Sequence, residues 1–251
     1  MIKFFRKIRQ QSFDKGKIKN YLLYALGEIL LVMIGILFAL QVNNWNAERK
    51  NNNAEFQLLK DLNQEFQLNQ TILSKKLNDV NKGIDIHSIY IEKLISGQQT
   101  FEDMVGYQED LMFGLGTSDP VYGVINSLIS SGEIRLVRND SLKYELTSWK
   151  DKMADLFENE KLHLNFAFKY SDYVDKRIPR YVNLKNSNVG YYDFSQKKME
   201  SLYLTLAKDL QYRNFVIVNS SYLEYQIKPE LKTVLNACEK IIQLISKETD
   251  E

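Results

Sequence analysis

Between Tyr21 and Val42 the chain reads YLLYALGEILLVMIGILFALQV, twenty-two residues that carry one charge, Glu28. At 1.5 Å per helical residue such a run covers roughly 33 Å, enough to cross a hydrocarbon layer of about 30 Å. A cleaved signal peptide has a shorter apolar region, typically about 7–15 residues, and ends at a small-x-small site. This run instead leaves through Leu40-Gln41-Val42-Asn43-Asn44-Trp45, with no such site. It is therefore read as an uncleaved anchor, and everything else about the chain is arranged around it.

Charge on the two flanks sets the expected orientation. Residues 1–20 hold Lys3, Arg6, Lys7, Arg9, Lys15, Lys17 and Lys19 against Asp14 alone. After Val42 the charges balance, with Arg49, Lys50 and Lys60 facing Glu48, Glu55 and Asp61. The positive-inside rule then gives a cytoplasmic leader (1–20), a transmembrane anchor (21–43) and an extracytoplasmic domain (44–251). That is the layout of a single-pass membrane protein that holds most of its mass on the far side of the bilayer. Tyr21 and Tyr24 on one side and Trp45 on the other suit the interfacial aromatic belts. Within the leader, Ile2, Phe4, Phe5 and Ile8 share a helical face, while Lys3, Arg6, Lys7 and Arg9 cover the rest. The pattern predicts a short helix lying in the anionic leaflet, so Phe4, Phe5, Arg6, Lys7, Arg9 and Trp45 are the expected bilayer contacts.

Composition narrows the rest. The 208 residues after Asn43 carry 26 basic and 30 acidic groups, a mildly acidic balance with no basic cluster, which argues against nucleic acid as partner. One cysteine, Cys238, can make no intrachain disulfide. Three prolines among abundant Leu, Lys, Glu, Asn and Gln point to helices. From Leu59 to Leu94 apolar residues recur every three or four positions, the signature of a long amphipathic helix that continues the anchor, with Gly83 as a bend and Gly97 as the end. Thr100 with Asp103 reads as a capping box for a short helix to about residue 113. Ser118-Asp119-Pro120 opens a helix to Ser131, stopped by Gly132. Glu133–Val137 alternates and is expected to be extended. Asn139-Asp140 then starts a long helix that Pro179 ends. Residues 180–195 read as a polar, tyrosine-rich loop, and the remainder as helix with Pro229 as a start or kink. The expected fold is all-α: one transmembrane helix followed by an elongated extracytoplasmic bundle of long antiparallel helices, coiled-coil-like in pattern.

The opening MIKFFRKIRQ, with Gly27-Glu28-Ile29, Ile34-Gly35-Ile36, Ala39-Leu40-Gln41 and Asn43-Asn44-Trp45-Asn46, resembles an uncharacterised family of single-pass inner-membrane proteins from Bacteroidota. A looser likeness covers Leu128–Leu142. The resemblance implies membrane location and a helical periplasmic region; it implies no activity.

Chemistry-bearing residues are few. Glu28, Val32, Gly35 and Ala39 fall on one helical face, and Gly35-xxx-Ala39 allows close helix approach. An acid at membrane depth is costly and marks a pairing face or a proton path; snorkelling to the headgroups is the plainer reading. Glu160 and His163 have the i, i+3 spacing of ligands on one helical face, and His87 lies near the stripe of the first long helix, where it could meet His163 across the bundle. These three are the weak metal candidates, with ordinary half-buried polar residues as the simpler reading. Ser195-Gln-Lys-Lys198 matches S-x-x-K without its companion motifs, and Gly114-Leu-Gly116 lacks the strand and third glycine of a nucleotide loop. No cofactor and no enzymatic activity are expected. Three functions stay open: an interaction or scaffold subunit of an inner-membrane complex, held by a homo-oligomeric or partner-subunit contact in the bilayer; a ligand-binding, sensor-like bundle; and a proton-coupled, force-transmitting subunit acting through Glu28.

Overall fold

The computed structural model describes residues 18–110, 116–178 and 196–249. Among these residues all regular structure is helical, with no strand. Its elements are α1 (Ile18–Ser96), α2 (Phe101–Asp110), α3 (Gly123–Ser131), α4 (Asp140–Asp175), α5 (Gln196–Leu206), α6 (Leu210–Tyr222) and α7 (Lys228–Thr249). The chain divides into two compact units, residues 1–57 and 58–251.

In the first unit, α1 contains one stretch long and apolar enough to cross a membrane. Its side chains are exposed at nearly every position from Leu22 to Val42, and so is Trp45. The basic leader residues Phe4, Phe5, Arg6, Lys7 and Arg9 lie outside the described residues.

The second unit is built on three long helical segments. Asn139, at the start of α4, bonds Glu248 near the end of α7, and Asn159 further along α4 bonds Glu230 at the start of α7. These two helices are therefore antiparallel. Cys238 of α7 approaches Phe66 of α1, while Asn219 and Arg213 of α6 reach His87 and Leu94, so α6 and α7 also oppose α1. Phe66 packs edge-on to Trp149, and the later residues of α1 meet the later residues of α4, which makes α1 and α4 parallel. The expectation of antiparallel neighbours holds for α7 but not for this pair; the polypeptide between α1 and α4, including α2 and α3, returns the chain.

Local signals explain most boundaries. α1 ends in a left-handed Gly97 (φ 72°), with Gln98 N–H donating to Lys93 O, the six-to-one bond of a Schellman stop. Thr100 and Asp103 form the reciprocal capping box: Thr100 N donates to Asp103 Oδ2 at 2.9 Å and Asp103 N to Thr100 Oγ1 at 3.1 Å. Asn139 Oδ1 accepts from Leu142 N at 3.0 Å and opens α4. Two expectations are corrected. α3 begins at Gly123 rather than near Pro120, because Glu65 of α1 supplies the cap from a distance, accepting from Val124 N (2.6 Å) and Ile125 N (3.0 Å). Glu133–Leu136 is a turn of 3₁₀-helix, not an extended link. α1 also runs unbroken past Gly83.

Pro229, expected as a start or kink, is the second residue of α7. Residues Leu223–Ile227 form a π turn between α6 and α7, where Lys228 N reaches back five residues to Leu223 O. A proline ring collides with the carbonyl four residues earlier and has no N–H to offer it, and widening the helix just ahead relieves the collision. The buried stripe passes through the turn as Tyr212, Val216, Asn219, Leu223, Ile227, Leu231, Val234, Cys238, Ile241 and Ile245.

Burial falls into two cores. The first gathers α1 from Leu59 to Val80, α3, α4 from Leu142 to Leu156, and the stripe from Leu223 to Ile245. The second gathers Tyr90 and Leu94 of α1, Met104 and Tyr107 of α2, Tyr170 to Ile178, residues Met199 to Ala207, and Tyr212 and Val216 of α6. Between the two cores each long helical segment buries polar residues: His87 on α1, Glu160 and His163 on α4, Asn219 on α6.

Candidate functional sites

The first candidate is the face of α1 in the apolar stretch. Helical geometry puts Glu28, Val32, Gly35 and Ala39, at steps of four, three and four, on one side. All four are exposed, and a methyl group at Gly35 would meet nothing within 4 Å among the described residues. The face can therefore admit another helix at short range without first displacing a side chain of its own chain.

The second candidate is the polar layer between the cores. Glu160 and His163 both point inward from α4, as their spacing requires, yet they serve different partners. Glu160 accepts from Ser118 N at 3.0 Å and from the Ser118 hydroxyl. Burial pushes its carboxyl above the ordinary carboxylate range, against the Ser118 hydrogen bonds and the charge of Lys76. The same three-sided grip fixes the segment that leads into α3: Lys76 donates to Gly116 O at 2.8 Å, and Asn69 bonds both N–H and C=O of Val121. Burial lowers the Lys76 ammonium while Glu160, Asp79 and Asp119 pull it back. Glu65, Asn69 and Lys76 recur at steps of four and seven along α1, so a single helical face binds a loop that has no regular structure to satisfy its own backbone.

His163 and His87 do meet across the interior, through an intermediary. His163 Nε2 lies 2.7 Å from Asn219 Oδ1, and Asn219 Nδ2 lies 3.0 Å from His87 Nε2. The amide thus stands between the two rings, and Glu160 is engaged with Ser118. Among the described residues no group of three or more His, Cys, Asp or Glu side chains is placed to hold a metal ion. Burial first, and then the neighbouring His163, brings His87 down to about 4. Burial also lowers His163, aided by Lys76 and opposed by its bond to Asn219. His87 presents its ring edge-to-face to Tyr107 (centroids 5.2 Å), and His163 stacks on Tyr222 (5.7 Å). Beyond them the second core is rich in phenols, with Tyr90 stacked on Tyr107 at 4.0 Å and its hydroxyl 2.7 Å from that of Tyr212.

Asn219 is the member that the sequence reading missed. Its signal was its place on the buried stripe of α6, three residues after Val216 and four before Leu223. Cys238 is a core residue whose Sγ lies 3.2 Å from Phe66 O, and burial pushes its thiol up to about 12, so it is no nucleophile. Ser195 and Gly114 lie outside the described residues. No family model, no curated protein and no solved structure matches this chain. Its functional reading rests on its own residues and geometry.

Proposed function

We propose that this protein is a membrane-anchored helical interaction module, a scaffold or subunit of a bacterial inner-membrane complex. Its basic leader lies on the cytoplasmic side and residues 44–251 fold in the periplasm. One observation carries the reading: the apolar stretch of α1 is exposed along its length and presents Glu28, Val32, Gly35 and Ala39 on one uncovered face. Lipid covers the apolar residues of such a helix, but a carboxyl group at that depth gains from a polar partner, and small residues beside it let that partner come close. A second copy of the chain or another subunit's membrane helix meets both needs. Two features favour interaction over catalysis: the buried acids are engaged in structural bonds, and the one thiol is held protonated.

The test is crosslinking and co-purification of the intact chain from membranes. Glu28→Gln and Gly35→Leu are each expected to reduce recovery of the partner without lowering the amount of chain in the membrane. Undiminished recovery in both variants would refute the reading. Full assembly with loss of function in Glu28→Gln alone would favour proton coupling instead.

A further inference from the structure

The two apolar cores of the second unit are joined by three long helical segments, and each segment contributes one side chain to a polar chain at the boundary: His87 from α1, His163 from α4 and Asn219 from α6. The protonation of this chain is dictated by its geometry. An amide oxygen only accepts and an amide nitrogen only donates. With Asn219 Oδ1 facing His163 Nε2, that nitrogen carries a proton; with Asn219 Nδ2 facing His87 Nε2, that nitrogen is bare. Turning the amide over exchanges the two roles and also swaps the amide atom that faces the Tyr107 hydroxyl. His87 Nδ1 is buried without a hydrogen-bond partner among the described residues, so the amide alone decides the tautomer. One facing nitrogen, and not both, can be protonated while the chain is closed.

We propose that His163–Asn219–His87 is an acid-released latch at the boundary of the two cores, which holds α6 to α1 and α4 until both imidazoles are protonated and then opens. In the doubly protonated state two N–H groups confront the amide, and one meets its NH₂. That contact is repulsive in a buried setting and leaves an unpaired charge behind. The surroundings do not compensate. Lys76 comes from α1, and Tyr90 follows one layer further along it. Tyr107 comes from α2, Glu160 and Tyr170 from α4, and Tyr212 and Tyr222 from α6. Glu160 is committed to Ser118, burial raises the phenols of Tyr90, Tyr107, Tyr170 and Tyr212, and the charges acting on the pair, Lys76 and the other histidine, are both positive. Both rings are almost wholly buried, so water cannot screen the added charge unless the helices part.

The chain has two histidines in 251 residues, so selective ¹⁵N-histidine labelling of the full-length protein in detergent micelles reads the latch directly. At neutral pH the two rings are expected in opposite tautomers, one protonated on Nε2 and one on Nδ1. Both are expected to titrate below the ordinary 6.5. Amide protection in α6, corrected for intrinsic exchange, should fall about tenfold per pH unit for each proton taken up on opening. The double variant His87→Gln, His163→Gln keeps an acceptor and a donor for Asn219 but cannot titrate. It should retain neutral-pH protection of α6 and lose the acid-dependent fall. Identical tautomers, titration near 6.5 with α6 still protected, or an unchanged acid response in the double variant would each overturn the latch. Should the double variant fail to fold, the tautomer and titration measurements on the unaltered protein decide the matter.

Discussion

At the scale of single residues, the second unit shows how burial and partners divide the ionisable groups. Glu145 is buried on α4, yet Lys152 and Lys240 each donate to it at 2.7 Å. Burial alone would raise its carboxyl; the two ammonium groups outweigh that and hold it below the ordinary 4.5. Its contribution to stability is therefore complete above the unfolded value of 4.5 and is lost as pH falls through its lower folded value. His87 works in the other direction. Its folded value of about 4 lies below the ordinary 6.5, so the unfolded chain binds the proton more readily. Its burden is absent above 6.5, grows as pH falls and levels off below about 4, at a cost of about 3 kcal/mol. Glu160, raised by burial, takes up its proton early in the folded state and partly offsets this. Chemical unfolding followed against pH should show the midpoint falling below pH 6.5 in the unaltered chain and much less in His87→Gln. Equal profiles would show that His87 is not the source. The convergence of the histidines was legible because both lie on apolar stripes. The amide between them was missed although Asn219 also lies on an apolar stripe, since nothing along the chain says which partners a buried asparagine will find.

At the scale of elements, stops and starts written in neighbouring residues were readable, and those supplied from elsewhere were not. Asn139 caps α4 from the adjacent position, and Gly97 and Gly132 end α1 and α3 with φ of 72° and 74°. Asn139→Ala should cost about 1 kcal/mol in unfolding free energy, the usual loss for an N-cap, measured in denaturant. A change under about 0.3 kcal/mol would mean that water replaces the cap fully. Gly132→Ala would meet no neighbour within 4 Å, so its expected penalty, also about 1 kcal/mol, is conformational alone. By contrast the start of α3 was misplaced by the local Ser118-Asp119-Pro120 signal, because Glu65, some sixty positions away, provides the acceptor. The π turn before Pro229 is a mixed case. The proline announced a disturbance, but only the apolar stripe that must continue on both sides made widening preferable to breakage.

At the scale of the whole molecule, the apolar stretch of α1 predicts behaviour that needs no partner to be known. The chain should stay in the membrane fraction through high salt and alkaline carbonate and leave it only with detergent. Release by carbonate would remove the basis for a spanning helix. A reporter fused after Glu251 should be active only in the periplasm if the charge asymmetry of the flanks orients the chain. Local pattern alone determined the helical class, the membrane-span candidate, the caps and the inward faces, because each depends on residues within a turn or two of one another. The parallel pairing of α1 with α4, the remote cap on α3, the separation of two cores and the asparagine bridge at their boundary were decided only by tertiary packing. They depend on which buried faces meet and at what register, and a buried polar atom's choice of partner is made by proximity in space, to which periodicity along the chain is blind.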